Sequence, residues 1–247
     1  MWRCLCTLRY GKSSSMIPHW LHWLSIASLL MGGLAAAIVT SDEWTRPQRM
    51  WIMNAVWPLT ALFGSLIWLW FYFRFGREAP GEQKKPDPPF PIAVAKAASH
   101  CGSGCTLGDI CAEWLILAMP VLAVWAGWHT VFSEKIYAAW VVDFIFAYGF
   151  GLVFQYFTIA PMRDLGAAEG IWAAIKADTL SLISWQAGMY GFMAIAHFWL
   201  FANVLGVKLR TNMPEFWFMM QIAMLCGFAT AYPMNWWLLK AGLKERM

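Results

Sequence analysis

A chain of 247 residues that is 60% hydrophobic and only 13% charged departs from a soluble domain, where roughly a quarter of residues are charged. The composition argues against a water-soluble globular protein and against a disordered one. A net charge of +4 is accounted for by a positive-inside bias and anionic lipid, and it calls for no nucleic-acid partner.

Residues 1–15 form a short, basic, polar tail, and residues 16–247 read as one transmembrane domain. Six apolar windows follow: Ile17–Thr40, Trp51–Phe73, Ile110–Phe132, Ala139–Ala160, Leu180–Val207 and Met213–Leu239. Each exceeds the roughly 20 residues that a helix needs to cross the hydrocarbon core. The expected fold is all-α, a polytopic bundle of about six spanning helices. The first window lacks the short apolar region and small-residue cleavage signal of a secretory peptide, so it reads as an anchor. Within it Gly32, Gly33 and Ala35 to Ala37 make a patch that lets helices approach closely. Pro58 predicts a kink early in the second span. A proline-rich cytoplasmic linker is expected over residues 74–98, densest between Glu78 and Pro91. Gly166–Ala177 reads as a surface helix.

Of the 18 tryptophans, Trp20, Trp23, Trp44, Trp51, Trp140, Trp236 and Trp237 lie near span ends and read as an interfacial belt. With six spans, the termini share a side with the loops after spans two and four. Lys and Arg concentrate there, which predicts both termini in the cytoplasm of a multi-pass inner-membrane protein.

The chemistry gathers in one stretch, Ser99-His100-Cys101-Gly102-Ser103-Gly104-Cys105-Thr106-Leu107-Gly108-Asp109, running on to Glu113. It is expected just before the third span, on the cytoplasmic side where thiols stay reduced, so a Cys101–Cys105 disulfide is disfavoured. His100, Cys101, Cys105, Asp109 and Glu113 are a candidate metal set. Cys105 and Asp109, four apart, share a helix face, with Cys101 or His100 folding in from a glycine-bearing loop. Thiolate and imidazole together favour Zn or Cu. A plainer reading stands beside it, in which Thr106 caps the helix with Asp109 at N3 and the small residues serve packing.

Asp178 at the entrance to the fifth span and Asp143 in the fourth are candidates for an ion path or for the outer shell of the metal site. His129 and His197 could face one another and hold haem or an outer metal. No nucleophilic triad, phosphate-binding glycine loop or dinucleotide fingerprint is visible, so an enzyme stays open as the lesser expectation.

The stretch His100-Cys101-Gly102-x-Gly104-Cys105-x-Leu107-Gly108-Asp109 resembles the signature of a bacterial membrane family, domain of unknown function 4396. Pro47–Asn54, Lys176–Leu182, Trp217–Met224 and Tyr232–Trp237 with Gly242 and Lys244-Glu245 are similar too, so the likeness runs from Met16 onward. The resemblance implies a multi-pass membrane protein and transfers no activity. Three functional expectations follow: binding of a thiophilic metal in metal handling or transport; a redox or haem-binding electron-transfer subunit; and a structural subunit of a homo-oligomer or larger membrane complex.

Overall fold

The computed structural model describes residues 17–78 and 88–245. The expected tail over 1–15 and the centre of the proline-rich linker, 79–87, lie outside the described residues. Among the described residues there are seven α-helices: α1 (His19–Thr45), α2 (Met53–Phe71), α3 (Phe90–Ala118), α4 (Val121–Trp125), α5 (Lys135–Arg163), α6 (Ala167–Ala194) and α7 (Pro214–Lys240). Two of them run on as π-helix, α2 through Tyr72–Gly76 and α6 through Ile195–Val204. The all-α helical bundle is therefore as expected. Pro91 and Pro214, in the first turns of α3 and α7, sit where their missing N–H is not needed.

Five of these helices, α1, α2, α5, α6 and α7, are long and apolar enough to cross a membrane. The second does not run straight. Ser65 breaks it at φ 47°, ψ −127°, and the chain turns back on itself. Trp57 packs its ring 5.5 Å from Tyr72 and 5.7 Å from Phe71. A straight helix would hold residues 57 and 72 about 22 Å apart. Gln48 Nε2 donates to the Gly76 carbonyl, so both ends of the hairpin lie together. Arg77 and Tyr72 both bond Asp42, near the end of α1. The segment expected as the second span is thus a hairpin that turns back on itself, with its tip beside Gly32 at the middle of α1. Irregular backbone at membrane depth must be buried in protein and satisfied there, and Gln221 Nε2 of α7 donates to the Leu62 carbonyl beside the tip at 2.6 Å. Cysteines replacing Trp57 and Tyr72 are expected to join through a short thiol cross-linker in intact membranes; a straight helix would leave them unjoined.

The third span also differs from expectation. It starts at Phe90 rather than near Ile110, and it carries the whole His100–Glu113 stretch inside one continuous helix. The glycines read as loop residues are packing residues instead. A Cβ on Gly104 would stand 2.8 Å from the Gly151 Cα of α5, and one on Gly108 2.5 Å from the Ala147 Cα and N. Small residues on both antiparallel partners bring the two backbones together. Of the expected third window, residues 121–125 form the short α4, and the chain then turns back towards α5.

The hairpin changes the topology. His22 near the start of α1 bonds Glu215 at the start of α7, while Phe90 at the start of α3 packs on Trp236 at the end of α7. Hence α1, α3, α5, α6 and α7 run the length of the bundle, and the described chain begins at one end and finishes at the other. Both termini on one side was the expectation for six crossings; replacing one crossing by a hairpin inverts everything before it. Trp20, Trp23, Trp44 and Trp237 are exposed as a belt requires. Trp140 is not of that kind, for it stacks on Tyr190 at 4.7 Å.

Candidate functional site: a buried polar column around α3

The central helix is polar where a membrane bundle is usually driest. His100, Cys101, Ser103, Cys105, Asp109 and Glu113 are all buried, and α5 and α6 add Asp143, Gln155, Thr158, Asp178 and Gln186. These groups form a column along the bundle axis rather than one cluster.

At the end where α3 begins, Asp178 Oδ1 meets Lys244 Nζ at 2.8 Å with both side chains out of solvent. Lys244 Nζ also reaches the Ala97 carbonyl. Asn235 Nδ2 donates to Ser181 Oγ on the neighbouring helix. One turn further in, His100 Nε2 and Thr158 Oγ1 are 2.9 Å apart, and Trp68 Nε1 donates to Ser99 Oγ at 3.1 Å. Midway stand Cys101 and Cys105, both free thiols in mutual contact on one face of α3.

Beyond them are Asp109 and Asp143. Both are buried, and among the described residues no group bonds either oxygen of either carboxylate. Asp143 on α5 lies close enough to Asp109 and Glu113 on α3 for the three carboxyls to interact electrostatically. Glu113 Oε2 accepts from Thr211 Oγ1 at 2.7 Å. It lines a cavity of about 320 Å³ shared with Lys135, His197 and Arg210, which makes a polar vestibule at the far end.

Among the described residues no three of His, Cys, Asp or Glu gather closely enough to hold a metal ion. The physical reason is the helix. A loop would fold His100 to Glu113 around one point, whereas a continuous helix strings them over about 20 Å. Thr106 does not cap a helix start either; its hydroxyl donates to the Gly102 carbonyl within the helix. His129 adopts φ 69° in the turn after α4 and stacks on Trp128 at 4.1 Å, while His197 packs edge-on to Phe198 in the vestibule. No hydrogen bond or ring contact joins the two histidines among the described residues.

Sequence reasoning missed Lys244 as the partner of Asp178, and it missed Gln155 and Thr158. The pairing links residues 66 apart in sequence, and no local pattern announces it. Gln155 and Thr158 had a weak signal, since both are polar and three apart in an apolar run.

The fold and the column define a polytopic helical membrane protein with ionisable groups threaded through its core. The chain belongs to the family described as domain of unknown function 4396, whose model matches residues 93–244. That match takes in α3 to α7 and stops short of α1, the hairpin and the similar stretch at Pro47–Asn54. Comparison with curated proteins and with solved structures gives no match.

Proposed function

We propose that the protein is a proton-coupled membrane transporter, with protons handed along the column around α3. The observation that supports it is the pair Asp109 and Asp143, carboxylates buried in the bundle with no bonding partner among the described residues. An ionisable group at such a depth is costly and is retained where it moves charge or binds it. Glu113 links the pair to the vestibule, and His100 with Asp178 continues the line to the other end. In this reading that other end is cytoplasmic, which the charge bias supports: Arg46, Arg49, Arg74, Arg77, Arg163 and Lys240 lie there, against Lys135, Lys208 and Arg210 at the vestibule. The lipid bilayer, the inner membrane in this reading, is the working environment.

The free thiols Cys101 and Cys105 favour a second reading, in which a thiophilic metal such as Zn or Cu passes along the same line as cargo. Haem and a purely structural role find less support in the geometry. His129 is stacked on Trp128 and His197 packs on Phe198, and a structural subunit has no need of unpaired buried carboxylates.

The test is proton flux into liposomes loaded with a pH-sensitive dye. An imposed pH gradient is expected to collapse faster with the protein than without it. Asp109→Asn and Asp143→Asn are each expected to slow that flux about tenfold or more, since an amide of the same shape cannot take up and release the proton. Flux unaltered in both variants overturns the proton reading. Zinc entry lost in a Cys101→Ser/Cys105→Ser double variant would select the metal reading instead.

A further inference from the structure

A second cavity, of about 290 Å³, opens between α1, the tip of the hairpin, α3 and α7. Its wall is almost wholly apolar, with Phe63 at the hairpin tip, Ile110 on α3, Met220 and Met224 on α7, and Trp114 and Trp217. The two indoles lie nearly parallel, 14° apart with centroids 6.0 Å apart. Trp114 is exposed on the bundle's outer surface, so the cavity has a side towards the bilayer.

Three polar side chains line it, and two are already engaged. Thr106 Oγ1 donates to the Gly102 carbonyl. The Gln221 amide accepts from Ser28 Oγ and donates to the Leu62 carbonyl. Of the three, Asp109 is the one with no hydrogen-bond partner among the described residues, and it is fully buried.

We propose that this cavity binds an organic ammonium cation with an apolar body, and that Asp109 is its counter-ion. An ionised carboxylate out of water needs a positive partner, and no Lys or Arg lines the cavity. Anions would meet Asp109 as a like charge. Sugars and other polyols would find a single free hydrogen-bonding group and an apolar wall. A hydrocarbon amine matches both features: its ammonium group pairs with Asp109, and its carbon body fits an enclosure near the lower size of small-molecule sites against the apolar wall that includes Trp114 and Trp217. The hairpin tip is one wall, so ligand passage would require Phe63 and its neighbours to move. This deepens the transporter reading and rests on it for turnover, with the amine exchanging against a proton at Asp109, but the binding step stands by itself.

The experiment is equilibrium dialysis of the full chain in mild detergent with radiolabelled phenethylammonium, using 2-phenylethanol as the neutral competitor. Phenethylammonium is expected to displace itself at concentrations at least tenfold below those at which 2-phenylethanol does. Asp109→Asn, which keeps the side chain's shape, is expected to remove that difference. Met224→Trp, which fills the cavity and leaves Asp109 in place, is expected to abolish binding of both. Equal potency of amine and alcohol, or unchanged amine binding in Asp109→Asn, overturns the proposal. Proton flux measured on the same preparations separates the two readings. Amine binding without flux removes transport and leaves the site; flux without amine binding removes the site and leaves transport.

Discussion

Gly108→Leu is expected to leave little folded protein, and Gly108→Ala alone is expected to lower stability by about 3 kcal/mol or more. Overpacking a core costs about 1–3 kcal/mol when side chains can yield. Here the obstacle is backbone: the added Cβ would lie 2.5 Å from the Ala147 Cα and N, well inside the roughly 3.5 Å at which carbon atoms rest. The helix as a whole would have to retreat, and Gly104 on the next turn against Gly151 ties it to the same line. The check is thermal unfolding in detergent together with a compensating variant. Ala147→Gly is expected to give no rescue, because the clash is not with the alanine's methyl. Gly102→Ala supplies the contrast. Its Cβ would meet the Trp185 ring at 2.1 Å, a side chain, so Gly102→Ala/Trp185→Phe is expected to be more stable than the sum of the two single effects. Rescue by Ala147→Gly would show that α3 and α5 are not packed backbone to backbone.

The same glycines explain where the sequence was and was not legible. Long apolar windows identified α1, α5, α6 and α7 because lipid-facing helices must be apolar along most of their length. They failed at α3, whose surroundings from Ala93 to Asp109 are mostly protein rather than lipid. A helix enclosed by others is free to carry His100, Cys101 and Asp109, and it then falls below a hydropathy threshold that its neighbours pass. They failed differently at α2. Its residues are apolar enough to cross, but hydropathy has no sign for direction, and the only mark at the reversal is the Gly64-Ser65 pair, which signals a kink and not a full turn back. Pro58, the residue expected to bend this segment, sits inside the outgoing arm instead. The candidate site was legible as a list and not as a shape. His100, Cys101, Cys105, Asp109, Glu113, Asp143 and Asp178 all proved buried, since charged and thiol groups stand out against an apolar background. Their arrangement as a column rather than a cluster depends on whether the glycines make a loop or a close contact, and glycine serves both.

Lys244→Met is expected to destabilise the protein by about 3–5 kcal/mol, the cost of leaving one member of a buried ion pair without its partner. Lys244 Nζ is 2.8 Å from Asp178 Oδ1, with the two side chains 0% and 1% exposed, so solvent offers Asp178 no replacement for the lost charge. The Ala97 carbonyl would lose a donor as well. Asp178→Asn added to Lys244→Met is expected to recover most of the loss, because an amide needs no counter-charge. Asp178 Oδ2 is unbonded among the described residues and lies beside Gly151, so an amide nitrogen there finds no donor to clash with. The paired measurement is unfolding temperature for both single variants and the double, at two salt concentrations. A buried pair is screened little by salt, so the single-variant loss is expected to be the same at both. A loss that shrinks at high salt, or a double variant no better than Lys244→Met, would mean that the segment after α7 holds by other contacts. The pair matters beyond stability because Lys244 and Asp178 close the column at the end opposite the vestibule. His100 feels both charges, so the double variant also tests whether that closed end controls what the column passes. In the liposome assay, Lys244→Met/Asp178→Asn is expected to fold and to give a proton flux different from the parent protein's.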